Sequence, residues 1–205
     1  MQTSLHRETT TVETITLYGF PPSTYTRTAR MAAHEKGVAA ELLPIAYGQP
    51  EHFALHPFGK MPAMTHGDVT LFETLAIVSY IDDVFDGVQL IPKEAERRAE
   101  ALGAISVAID YAYQPVVHTR TDGDAFDADD LAAASRVLDW LERRMADSDH
   151  IAAGAFTAAD LFFAPMVDYH RGKTGDDMTF GKRPNLARWF KAMSGRPSFA
   201  ATTAV

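Results

Sequence analysis

The chain has 205 residues, a formal net charge of −8 and a pI near 5.4. That balance disfavours nucleic acid and anionic membrane surfaces as main partners. It holds no cysteine, which excludes disulfides, zinc–thiolate sites, cysteine nucleophiles and thiol–disulfide exchange by the chain itself.

No apolar run reaches the roughly 18 residues of a membrane span, so none is expected. Residues 1–14 (MQTSLHRETTTVET) are polar and lack the apolar core of a secretory signal. They read as a loose leader, and a cytoplasmic location is the default expectation. Ile15 to Tyr18 is apolar or β-branched and predicts a short strand, ended by Gly19, Pro21 and Pro22. Residues 23–36 predict a helix with Ser23 as its cap and Gly37 as its stop. The free N–H groups of that first turn favour an anion beside Ser23.

Residues 41–46 (ELLPIA) predict a second strand, with Pro44 marking an edge or irregularity. Residues 47–59 form a loop with one helical turn. Residues 61–64 and 69–72 are apolar runs joined by Thr65 to Asp68, a β-hairpin pattern. Residues 73–85 turn helical, with Leu75, Ile77, Val78 and Ile81 on one face. The order defines an α/β unit over residues 15–86, with a linker over 87–93.

From residue 94 the pattern is helical. Residues 93–118 place Ala101, Ile105, Ala108 and Ile109 on one side; 119–130 read as an acidic loop that starts the next helix. Residues 131–145 continue that helix, 157–169 form the most apolar one, and 184–194 end the fold. Residues 94–205 thus form an all-α domain.

Four places carry chemistry or its bland counterpart. Ser23 is a helix cap or an anion ligand. Pro62, after Gly59, Lys60 and Met61, opens a strand and is a candidate cis peptide. Glu73 and Thr74 sit at a hairpin–helix junction, where they are a solvated cap or a clamp for an ammonium and a carboxylate. Thr157 and Asp160 have capping-box spacing before the apolar helix, and Asp160 reads as structural. Pro165 lies inside that helix.

The plan resembles the cytosolic glutathione transferases, from Ile15 to Phe199. LYGFPPSTYTR, HPFGKMPAM, LFETLAIVSYID, GAFTAADLFFAP and PNLARWFKAMSGRPSF carry the resemblance, in that order. It implies a thioredoxin-like domain followed by an all-helical one, glutathione as co-substrate, and a homodimer. By this resemblance to the serine-type classes Ser23 contacts the glutathione sulfur. Met61, ahead of a cis Pro62, pairs its backbone with the cysteinyl part. Glu73 and Thr74 form the γ-glutamyl clamp, and Lys60 and His52 are candidates for the glycyl carboxylate. Thr74 stands where Ser is commoner. Thr24 and Tyr25 add hydroxyls next to Ser23, and Tyr18 lies near the place a catalytic tyrosine takes in other classes.

A free thiol has a pKa of about 8.5, so little thiolate exists at neutral pH. A Ser23 hydroxyl donating to the thiolate supplies about 1.5–3 kcal/mol. The helix N-terminus adds about 0.3–1 kcal/mol. Each pKa unit needs about 1.4 kcal/mol, so the two together bring the thiol near neutrality. The electrophile then belongs between the two halves, where Tyr111, Tyr113, Val116, Phe162, Phe163 and Met166 offer an apolar wall. A glutathione-dependent isomerase or dehalogenase uses the same thiolate. A non-catalytic binding protein on this scaffold is the rival of a different class.

Overall fold

The computed structural model describes residues 14–122 and 125–203. Apart from Thr14, the expected leader lies outside the described residues. The first unit runs β1 (Ile15–Tyr18), α1 (Thr24–Glu35), β2 (Ala40–Leu43), α2 (Pro50–Leu55), β3 (Ala63–His66), β4 (Val69–Phe72) and α3 (Thr74–Val84). The strands form one sheet in the order β2-β1-β3-β4. β1 pairs parallel with β2 and antiparallel with β3, and β3 pairs antiparallel with β4. Gly67, at φ 55°, turns the hairpin with Asp68, a conformation that glycine adopts without strain.

This thioredoxin-like unit packs α1 and α3 on the sheet. Ile15, Leu17, Ala29, Ala33, Met64, Ile77 and Ile81 make its buried core. Alternation along β1 explains the choice: Ile15 and Leu17 point inward while Tyr18 is half-buried on the other face. The second strand starts and ends earlier than the sequence predicts, at Leu43, because Pro44 follows it.

The second unit is helical: α4 (Ala95–Val107), a π-helical segment (Ala108–Val117), α5 (Ala128–Arg144), α6 (Ala158–Thr174), α7 (Asp176–Phe180), α8 (Pro184–Ser194) and α9 (Pro197–Ala200). The expected acidic loop before α5 contains a small hairpin, β5 (Thr121–Asp122) with β6 (Ala125–Phe126). Asp127 caps α5, accepting from the N–H groups of Asp129 and Asp130. Inside α6, Asp160 is fully buried. Its carboxylate accepts from the Thr157 N–H at 2.9 Å, the Ile151 N–H at 3.2 Å and the Trp189 indole N–H at 2.8 Å. The capping box is therefore also a tie between α6, α8 and the preceding loop.

The segment expected to be a linker is packed. Leu90 and Ile91 are buried, and their N–H groups donate to the Asp82 carboxylate at 2.8 and 2.9 Å. The Leu90 carbonyl accepts from Ala158 N–H at 2.7 Å, at the start of α6. Met31, Ala32 and Val78 of the first unit share one core with α4, α5, α6 and α8. Arg27 on α1 reaches Asp168 on α6 at 2.8 Å, and the Thr28 hydroxyl donates to the Leu161 carbonyl at 3.1 Å. The units are thus fixed to each other, and the groove between them has defined walls.

Candidate active site

Ser23 is the N-cap of α1. Its backbone is extended, and its hydroxyl oxygen accepts from the Thr26 N–H at 3.3 Å. Accepting leaves the hydroxyl proton free to donate. The first-turn N–H groups of Thr24 and Tyr25 have no acceptor within the helix. An anion beside Ser23 would meet these donors together with the helix dipole.

A cavity of about 1000 Å³ opens at this point. Ser23, Thr24 and Tyr25 line it from α1, Lys60, Met61 and Pro62 from the loop before β3, and Glu73 and Thr74 from the start of α3. At the upper end of typical single-ligand sizes, it has room for two reactants. The Met61–Pro62 peptide is cis, as the sequence suggests. Met61 lies outside the sheet ladder, which begins at Ala63. Glu73 takes φ 69° at the junction of β4 and α3, which leaves its carboxylate exposed while Thr74 is buried. Seven residue positions proposed from sequence thus reduce to six that share one cavity.

The seventh, His52, is a correction. It is buried, its Nδ1 accepts from the Gly48 N–H at 3.1 Å, and its Nε2 donates to the Lys60 carbonyl at 2.8 Å. With both ring nitrogens committed, it has no donor left for a carboxylate. Its place is to hold the 48–60 loop that carries Lys60 and Met61. Tyr18 does not line the cavity either; its hydroxyl lies 3.4 Å from the Thr65 hydroxyl on the neighbouring strand.

The wall toward the second unit also differs from expectation. Phe162, Phe163, Val116 and Met166 are in the core, and Tyr111 projects to solvent at 69 % exposure. Of the six residues expected there, Tyr113 alone lines the cavity, joined by Ile109, Gln114, Val117, His118 and Tyr169. The reason is the π-helical segment. An i→i+5 ladder takes more than four residues per turn, so Ile109, Tyr113 and Gln114, Val117 and His118 return to one side. The sequence placed Ile109 with the core residues of an α-helix; it is 39 % exposed.

Tyr25 points away from the capping position, across the groove. It stacks on Tyr113 with ring centroids 4.5 Å apart and 25° between planes, and meets Phe162 edge-on at 6.2 Å. Burial, then the neighbouring Tyr113, pushes its hydroxyl pKa far above the ordinary value, so Tyr25 stays protonated. Burial also raises the Tyr113 pKa. Phe20 and Tyr47 flank the other side of the cavity, 6.4 Å apart. Arg120 lies at the rim, held by the Asp130 carboxylate through two contacts of 2.9 Å.

Sequence reasoning missed His56. It lines the cavity, is 2 % exposed, and sits with Nε2 3.9 Å from the Glu73 carboxylate. Burial lowers its pKa below the ordinary histidine value, with Glu73 opposing. No local pattern marks it; only the pairing of α2 with β4 brings it to Glu73.

A thioredoxin-like unit fused to a helical one, with a hydroxyl-capped helix facing the groove between them, defines a class of thiol-binding transferase. Comparison with known proteins agrees. The family description "Glutathione S-transferase, N-terminal domain" matches residues 13–83, and "Glutathione S-transferase, C-terminal domain" matches residues 104–197. A glutathione S-transferase of Silene vulgaris is 31 % identical over 214 residues, covering 94 % of this chain and 98 % of that protein. Glutathione S-transferase F6 of Arabidopsis thaliana is 31 % identical, covering 90 % and 96 %. The crystal structure of glutathione transferase F7 from Populus trichocarpa superposes with a TM-score of 0.81 at 28 % identity, covering 92 % of this chain and 97 % of that one. The chain belongs to the glutathione S-transferase family, and it is a glutathione-using enzyme of that family.

Proposed function

We propose that Ser23 donates a hydrogen bond to the sulfur of bound glutathione and holds it as thiolate for attack on a hydrophobic electrophile. The observation that carries this reading is the Ser23 hydroxyl at the N-terminus of α1, lining a cavity that also holds Glu73, Thr74, Met61 and Lys60. Glu73 takes the glutamyl ammonium, and Thr74 with the first N–H groups of α3 takes the glutamyl carboxylate. The Met61 backbone pairs with the cysteinyl residue, and the Lys60 ammonium takes the glycyl carboxylate. Ser23 stays protonated throughout. It is a donor and neither a base nor a covalent nucleophile, and no histidine contacts its hydroxyl among the described residues.

The thiolate attacks the electrophilic carbon and a C–S bond forms. In a substitution the bond to the displaced group breaks and that group departs with its electron pair. In an addition the pair stays on the electrophile and takes a proton from water. Tyr25, Tyr113, Ile109, Val117 and Tyr169 form the apolar side on which that electrophile rests. In the same reading the chain divides into residues 15–86, 87–93 and 94–205, which the change from mixed sheet-and-helix elements to helical ones supports. A homodimer is the proposed assembly, and Phe53 and Phe58, at 49 % and 72 % exposure, supply apolar surface for it. No helix among the described residues is long and apolar enough to cross a membrane; a cytoplasmic location is part of the proposal. Calorimetric titration with glutathione, with a parallel assay against an aryl halide, tests the function. Binding with turnover is expected. Binding without turnover on any electrophile would favour the non-catalytic reading, and no binding would refute both.

A further inference from the structure

We propose that His56 is a positioning residue that orients the Glu73 carboxylate toward the glutamyl ammonium of glutathione. The inference rests on the glutathione site described above and adds a residue to it. Glu73 is the exposed carboxylate of that site, with 65 % of its side chain open to solvent. A free glutamate side chain samples several rotamers, and fixing it costs conformational entropy. A clamp that must meet an ammonium in one place therefore gains from a neighbour that restricts it.

His56 is placed to do this. Its backbone N–H donates to the His52 carbonyl at 2.8 Å, and its carbonyl accepts from the Gly59 N–H at 2.8 Å. Its ring packs on Phe72 at 5.0 Å and meets Phe58 edge-on at 6.3 Å. The ring is thus fixed at the end of α2, directly before β4 delivers Glu73. Nε2 lies 3.9 Å from the Glu73 carboxylate, while Nδ1 is buried with no hydrogen-bond partner among the described residues. A proton on Nδ1 would have no acceptor; one on Nε2 faces a carboxylate. The Nε2–H tautomer follows.

The charge state fits the task. Glu73 favours the protonated ring, but burial outweighs it, and His52 and Lys60 also oppose protonation, so the ring is neutral at neutral pH. A neutral N–H orients the carboxylate without cancelling its charge, which remains available to the ammonium. A cationic ring in the same place would compete with the ligand.

The test compares glutathione with cysteinylglycine, which lacks the glutamyl group. Affinities are measured by calorimetry for the wild type, His56→Phe and His56→Gln. Phe keeps the ring against Phe72 and removes the N–H; Gln restores a donor. His56→Phe is expected to weaken glutathione severalfold, because the Glu73 carboxylate loses the polar neighbour 3.9 Å away that restricts it. Cysteinylglycine affinity should not change, and His56→Gln should recover most of the glutathione affinity. Equal losses on both ligands, or no recovery by Gln, would overturn the role and leave His56 as packing. Nitrogen NMR of the wild type keeps the proposal testable should a variant not fold. The Nε2–H tautomer is expected, with a shift on adding glutathione but not cysteinylglycine; an Nδ1–H tautomer would overturn it. A wild type that binds neither ligand would refute the glutathione site itself. A wild type that prefers glutathione, with the preference intact in His56→Phe, would refute only the part given to His56.

Discussion

Removing the Asp160 carboxylate should cost more than a helix cap. A cap alone is worth about 1 kcal/mol. Asp160 is fully buried, however, and accepts three N–H groups, from Thr157, Ile151 and the Trp189 indole. Asp160→Ala strands these donors where water does not reach, at about 1–3 kcal/mol for each buried group left unpaired. Partial relaxation recovers some of this, so the expected loss is about 3–6 kcal/mol. For a chain of this size that lowers the melting temperature by roughly 6–24 °C. Thermal and urea unfolding followed by circular dichroism measure it. The glutathione affinity of the folded fraction should be unchanged, because Asp160 does not line the cavity. A melting temperature within about 2 °C of the wild type, or a loss of turnover without a loss of stability, would refute the structural assignment.

Glu73→Ala should weaken glutathione binding by about 1–3 kcal/mol, measured by calorimetry; unchanged affinity in a folded variant would remove the clamp. Tyr113→Ala should raise the KM for an aromatic electrophile by about 2–13-fold, the range expected for one lost aromatic pair, and leave glutathione affinity alone. An unchanged KM would mean that the electrophile lies elsewhere. His170 is buried with Nδ1 3.1 Å from the Val116 carbonyl, and burial lowers its pKa against the opposing Val116 hydrogen bond. The unfolded histidine takes its proton near pH 6.5, before the folded one does, so stability is flat above about pH 6.5 and falls as pH drops through it. Melting temperatures measured across that range should show the fall, and His170→Gln should reduce its slope; stability rising on acidification would contradict the sign.

Local rules were legible in the sequence where the chemistry is local. Ser23 before α1, the Thr157–Asp160 box and the 63–72 hairpin each depend on residues within a few positions of one another, and each is present. The wall of the groove was not legible. Period-3.6 spacing grouped Ile109 with Ala101, Ile105 and Ala108, but the π-helical ladder rotates Ile109 out of that face. Phe162 and Met166 had the right spacing for either a wall or a core, and the neighbour that covers them is set by tertiary packing. His52 and His56 lie four residues apart with no pattern to separate them. The family resemblance offers His52 as a ligand, yet its ring is spent on the loop, while His56 reaches Glu73 through a contact between α2 and β4.

The most direct measurement of the central claim is the pKa of enzyme-bound glutathione, read from thiolate ultraviolet absorbance against pH, in the wild type, Ser23→Ala and Tyr25→Phe. A Ser23 hydroxyl worth about 1.5–3 kcal/mol should move that pKa up by roughly 1–2 units in Ser23→Ala. Turnover at neutral pH should fall and recover in part at high pH, where the thiol ionises unaided. Tyr25→Phe should leave the thiol pKa in place, since the Tyr25 ring faces Tyr113 across the groove. An unshifted pKa in Ser23→Ala, or a shift of a unit or more in Tyr25→Phe instead, would contradict thiolate activation by Ser23.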